Sequence, residues 1–213
     1  MDTSQKIADK ARDLFITYGI RGVNMDNIAR SLGISKKTVY QFFGSKDMLV
    51  KAFVEREISD NIARCESLKV RNCDVILELY LIMTYTKELY KIFYPAILND
   101  LQNNHPGAVT RLHDHRHAYL ADIIKANMAL GVKKALYQND LNFDVITEFI
   151  LEALAVIFTP NLPRKDDHQE MFFRYLINGI LTAKGLALLN KYRYQQEGGL
   201  LLDRYQSHPF WDD

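Results

Sequence analysis

Apolar side chains recur along this chain at intervals of three and four residues rather than two, and the few Gly and Pro fall between the periodic segments. That rhythm predicts an all-α fold. Ile7, Ala8, Ala11, Leu14, Phe15 and Tyr18 form one face of a first helix that Gly19 and Gly22 end. Asn24 stands where an N-cap is needed for a short second helix carrying Ile28, Ala29 and Leu32, with Asp26 in its first turn and Gly33 closing it. Ser35 caps a third short helix through Phe43, and Gly44 and Ser45 lead into a longer one toward Cys65. Further helices are expected at about 73–91, 93–103, 107–130, 142–159 and 167–192. Asn161, Leu162 and Pro163, followed by a charged run, mark the clearest polar break.

No repeat, low-complexity tract or long linker interrupts this order. The expected organisation is a three-helix head over residues 1–46, joined by a tight turn to a larger helical body over residues 47–213. At 213 residues, 48% of them hydrophobic, the chain has ample material for a packed core, so disorder is excluded as its main state. The N-terminus lacks the basic and apolar regions of a secretory signal, and no uninterrupted apolar run approaches the ~18 residues a membrane span needs. Cys65 and Cys73 have neither CxxC nor zinc-site spacing, which argues against a disulfide scaffold or a structural metal. A cytoplasmic protein with no membrane partner is the expectation. Charge is balanced overall at +1, yet residues 1–50 carry eight basic and five acidic side chains, a local net +3.

The excess of positive charge coincides with the chemistry in the head. Two short helices about a tight turn let one brace on a DNA backbone while the other offers its early residues to base edges in the major groove. Met25 to Phe43 has this form, with Ile28, Ala29 and Val39 as the small or branched inward positions and Lys36, Lys37, Thr38, Tyr40, Gln41 and Lys46 left outside. A plain helical hairpin with a basic rim satisfies the same pattern. The wording of residues 7–50 narrows the choice: Ile28-Ala29, Gly33-Ile34-Ser35, Thr38-Val39-Tyr40, Phe42-Phe43 and Ser45-Lys46, with Leu49 beyond. This stretch resembles the N-terminal domain of the TetR (tetracycline-repressor) family. Lys37 and Gly44 depart from the family's usual Gly and Pro at those places.

The resemblance implies that Thr38 and Gln41 face base edges, while Tyr40, Lys46, Lys36 and Asn24 hold phosphates, with Ser35 and Lys37 beside them. The side-chain chemistry agrees, since Gln bonds adenine in two places, Thr offers a methyl and a hydroxyl, and Lys and Tyr suit phosphate oxygens. Ser35 also reads simply as an N-cap, and Phe42 and Phe43 read as core.

A two-fold operator calls for a two-fold protein. The last helices supply the expected homodimer surface: Phe149 and Ala153 on one, and Leu176 with a strip of small residues, Gly179, Ala183 and Ala187, on the other. The middle helices are then expected to enclose an unidentified small-molecule effector. Tyr80, Met83, Tyr90, Phe93, Tyr94 and Tyr119 are candidates for its walls, with His113 and Arg116 as polar contacts. Arg116 shares a stripe with Leu112, Leu120 and Ile123, so it needs a partner there, either an acidic side chain or a ligand. His113 and His117 fall on one helix face and His115 on the other, so the histidine cluster is read as no metal site, and no cofactor is expected. The reading that follows is a ligand-responsive repressor released from a palindromic DNA operator. An adaptor that keeps the fold without binding DNA is the alternative. A metal-dependent helical enzyme is the more distant one, because no catalytic motif is present.

Overall fold

The computed structural model describes residues 2–70, 74–93, 96–157 and 175–196. Among these the chain is helical. α1 spans Thr3–Gly22, α2 Met25–Leu32, α3 Lys36–Phe42, α4 Lys46–Val70, α5 Val75–Ile92 and α6 Ala96–Asn104. α7, Pro106–Asp114, runs on through a π-helical turn at His115–Leu120 into α8, Ala121–Lys133. α9 spans Phe143–Ile157, α10 covers residues 175–180, and α11 spans Ala183–Gln196. No helix of the described residues is long and apolar enough to cross a membrane. Cys65 is free and buried, and Cys73 lies outside the described residues.

Capping groups punctuate the head. Asn24 and Asn27 form a reciprocal box: each side-chain oxygen accepts the other's backbone N–H, at 2.9 and 2.8 Å, which satisfies two amides left open at the start of α2. Gly33 ends α2 in the left-handed conformation (φ 66°), a region that favours glycine, and its N–H returns to the Ala29 and Arg30 carbonyls. One residue later the Ser35 hydroxyl accepts the Thr38 N–H at 3.0 Å and starts α3. The Ser45 hydroxyl does the same for Met48 in α4.

Two apolar clusters meet along α4. The first joins Ile7, Phe15, Ile28 and Val39 of the head to Leu49, Phe53 and Ile58 of α4, and to Leu89, Phe93, Ile97 and Leu101 of α5 and α6. Phe15, Phe53 and Phe93 pack through it as tilted rings with centroids 5.7 and 5.6 Å apart, so Phe93 belongs to the head's core and not to the walls of a body cavity. The second cluster gathers Cys65 and Leu68 of α4 with α5, α8, α9, α10 and the turn at Leu136 and Tyr137. Where α4 passes from one to the other it carries two buried polar residues, each answered from another element. Glu57 takes the Arg12 guanidinium of α1 in a two-point ion pair, which raises the pKa of Arg12. Asn61 bonds His115 at 3.0 Å.

Tyr137 ties the body together. Its hydroxyl reaches the Val75 carbonyl at 2.9 Å and Asn127 at 3.0 Å, and Asn127 in turn donates to Val75 and Glu78. The ring lies so close over Gly131 that a Cβ there would meet it at 2.1 Å.

One expectation fails here. The continuous helix foreseen over 167–192 is broken, in its described part, at Leu181 and Thr182, where the backbone pairs with the turn after α8: Leu181 bridges Tyr137, and Thr182 N–H donates to Leu136 at 2.9 Å. Gly179 therefore lies on α10 while Ala183 and Ala187 lie on α11, so the small residues are not a strip on one helix. Propensity favours continuation through this stretch, and tertiary pairing overrides it.

Gly131→Ala is expected to lower stability by about 1–3 kcal/mol through overpacking against Tyr137, read as a fall in the urea midpoint; a change within error would contradict the contact. Ser35→Ala is expected to cost about 1 kcal/mol by removing the α3 cap, seen in the same titration.

Candidate nucleic-acid interface

The outward face of α3 is built by its register. Val39 is fully buried and Phe43, four residues on, packs half-buried on the same core, so this pair fixes which side of the helix points in. Lys36, Lys37, Tyr40 and Gln41 are left exposed, and Thr38 is half-buried at the entry of the helix. The Thr38 hydroxyl bonds Ser35 at 2.8 Å, which holds its methyl and oxygen in one orientation. Lys36 reaches Asp26 of α2 at 2.9 Å and lies 6.0 Å from the centre of the Tyr40 ring, linking the two helices of the motif across their turn. Lys37 projects freely, with no ion pair among the described residues. Asn24 spends its side-chain oxygen on the α2 cap, and its side-chain N–H groups take no part in that cap. Lys46 is half-buried at the start of α4, and desolvation lowers its pKa.

Phe42 departs from expectation. It is 43% exposed, beside Tyr40 on the outer side, because only one of two adjacent aromatic residues fits the inward stripe set by Val39. Helical spacing contained this signal: Phe42 stands four residues from Thr38 and one from Gln41, on the reading face. Asp26, which orients Lys36, had no signal beyond its place in the first turn of α2.

In the body, the residues expected around an effector are only partly brought together. Met83 is buried, Tyr80 and Tyr119 are half-buried, and the Tyr119 hydroxyl donates to Glu66 at 3.0 Å. Arg116 pairs with Glu152 of α9, which supplies the partner its buried stripe required. His113 lies on the outer surface, its ring tilted against that of His117 with centroids 4.3 Å apart, and Tyr94 lies outside the described residues. His115 turns inward, as the helical angle implied, and burial lowers its pKa to about 4, so the imidazole is neutral at physiological pH. Among the described residues no group of three or more His, Cys, Asp or Glu side chains is placed to hold a metal ion.

Of the residues expected at a dimer surface, Phe149 is 55% exposed, four residues from Val145 at 63%. Gly179, Ala183 and Ala187 are also exposed, whereas Ala153 and Leu176 are half-buried.

Comparison with known proteins places this geometry. The model of the bacterial regulatory proteins of the tetR family matches residues 7–53, the head together with the start of α4. The transcriptional regulator UidR of Escherichia coli K12 is 24% identical over 187 residues, covering 85% of this chain and 94% of its own. A TetR/AcrR-family regulator from Thermobifida fusca superposes with a TM-score of 0.65 at 20% identity over 84% of this chain and 98% of that one. The ketosteroid regulator KstR2 of Mycobacterium tuberculosis gives 0.62 at 16% identity over 85% and 96%. The family match falls on the head, and the likeness of fold extends across the helical body. By its head this chain matches the tetR family, and over most of its length it is similar to TetR-family transcriptional regulators.

Proposed function

We propose that this regulator is a repressor that binds a palindromic operator as a homodimer in the cytoplasm and is released from it by a small-molecule effector. The observation that carries the reading is the outward face of α3, where Thr38 and Gln41 stand between two possible phosphate anchors, Tyr40 and Lys36, on a helix capped and oriented before any DNA arrives. Preorganisation of this kind reduces the ordering cost of binding. Thr38 and Gln41 read base edges in this account. Asn24, Lys37 and Lys46 hold backbone, and Ser35 sets the helix entry.

Support for the dimer comes from α9, where Val145 and Phe149 are exposed to solvent on one face. Exposed apolar side chains in such a row favour a partner surface. Support for an effector comes from the body's interior. Tyr90 Oη, Arg116 Nε, His115 Nδ1 and Asn61 Nδ2 are buried and have no hydrogen-bond partner among the described residues. Three of the four lie on or against the π-turn, a local feature that frequently marks functional sites. A small molecule with hydrogen-bonding oxygens satisfies such groups, and one that prefers the conformation with the two heads wrongly spaced releases DNA by population shift.

Selection of bound duplexes from random DNA is expected to return a palindrome with half-sites about one helical turn apart. On that duplex Gln41→Ala is expected to cost about 1–3 kcal/mol and to relax one position of the site, whereas Lys37→Ala weakens all sequences alike and flattens the salt dependence. No motif at low salt would sink the repressor reading. Phe149→Asp is expected to shift the protein from dimer to monomer in sedimentation; an unchanged dimer would remove α9 from the interface.

A further inference from the structure

Beside the apolar seam and the ion pairs between α1 and α4, two polar contacts reach the head and its junction with α4 from the corner formed by the end of α6 and the start of α7. The first is Asp100 of α6. α1 kinks at Gly19, whose φ is 75°, and just beyond the kink the backbone N–H of Arg21 donates to Asp100 Oδ2 at 2.7 Å. The second is His105, the residue between α6 and α7. Its Nδ1 lies 2.8 Å from Oδ1 of Asp47, in the first turn of α4, and its side chain is only 11% exposed. Between the two contacts lies a polar cleft of about 500 Å³, lined among others by Arg21, Lys46, Asn103 and His105.

The two contacts differ in chemistry. Asp100 bonds a backbone amide, which does not titrate. His105 and Asp47 form a pair whose strength depends on a proton: with the imidazole neutral the link is a single hydrogen bond, and with the imidazole protonated it becomes a charge-assisted one. Asp47 is held ionised below the ordinary carboxylate range, chiefly by the hydrogen bond from His105 and further by Lys51 at 3.6 Å. Lys51 of α4 faces Asp47, and Arg21 of α1, Lys46 of α4 and Asp100 of α6 line the same cleft as His105, while Arg111 of α7 is engaged by Glu55. The head itself carries no histidine, since the first in the chain is His105. Among the described residues His105 is the histidine in contact with the first turn of α4, next to the head.

We propose that the α6–α7 corner latches the head through Asp100 and His105, positioning residues that do not touch DNA, and that proton uptake by His105 tightens the latch and raises DNA affinity. The direction follows from where the latch acts. Asp47 adjoins Lys46, so fixing it fixes a phosphate anchor and the end of the turn that leaves α3. A tighter hold on these groups lowers the ordering cost of binding DNA. The inference rests on the operator reading above only for its DNA arm.

The test measures dissociation constants for the selected duplex near pH 6 and pH 8 at fixed ionic strength. Wild type is expected to bind about threefold or more tightly at the lower pH. His105→Gln keeps a neutral hydrogen bond to Asp47, and Asp47→Asn removes the charge, so both are expected to bind independently of pH. Asp100→Ala weakens binding at both pH values and leaves the wild-type ratio intact. Circular dichroism of each variant at both pH values confirms the fold. A flat wild-type profile, or a wild-type ratio surviving in His105→Gln, overturns the latch. Amide hydrogen exchange of residues 19–23 and 44–50, corrected for intrinsic rates, gives an arm that needs no operator. Slower exchange at the lower pH in wild type and not in His105→Gln upholds the latch even if selection returns no duplex. The absence of that difference overturns the latch whether or not an operator exists.

Discussion

One helix belongs to both halves of this molecule, and the rest of the structure depends on it. α4 is 25 residues long, with Leu49 to Ile58 packed in the head's core and Cys65 and Leu68 in the body's. A continuous helix cannot shift one end without carrying the other, because its backbone hydrogen bonds run unbroken along it. The crossover is secured by groups whose loss is costly. Glu57 is a buried carboxylate satisfied by Arg12, and removing one partner of such a pair leaves the other charge stranded. The head is thus held in position by a helix that continues into the region where an effector is proposed to bind.

The packing of the head shows why this coupling is strong. Three helices of 20, 8 and 7 residues offer few apolar side chains to one another, and small units of this kind are marginal alone. Their core is completed from outside, by Phe53 of α4, Phe93 of α5 and Leu101 of α6. The same residues that stabilise the DNA reader therefore tie it to the body. Asp100 and His105 add directional polar contacts to that apolar seam, and polar contacts specify an arrangement more sharply than hydrophobic area does.

Local signals made the head legible in the sequence. Asn24, Gly33, Ser35 and Ser45 each act within three or four residues of themselves, so their types and spacing sufficed to set the helix ends. Val39 sets the inward face of α3, whereas Phe42 and Phe43 are adjacent aromatics that differ only in their helical angle, and Phe42 turns outward. The body was less legible where long-range contacts decide. Nothing near Leu181 in the chain announces that the turn at Tyr137 will pair with it and break a helix. The apolar stripe around Arg116 implies a partner, while the identity of that partner as Glu152 depends on the packing of α9. The partnership of His105 with Asp47, 58 positions away, has no local signal and is visible only in three dimensions.

The central claim is that two copies of this head, set by their shared bodies, read DNA through α3. Hydroxyl-radical footprinting of the bound duplex tests it most directly, because it maps backbone protection at the level of single nucleotides. Two symmetric patches, centred about 10 base pairs apart or a multiple of that and lying on one face of the duplex, are the predicted result. A single patch, or uniform weak protection that vanishes with modest salt, would contradict it.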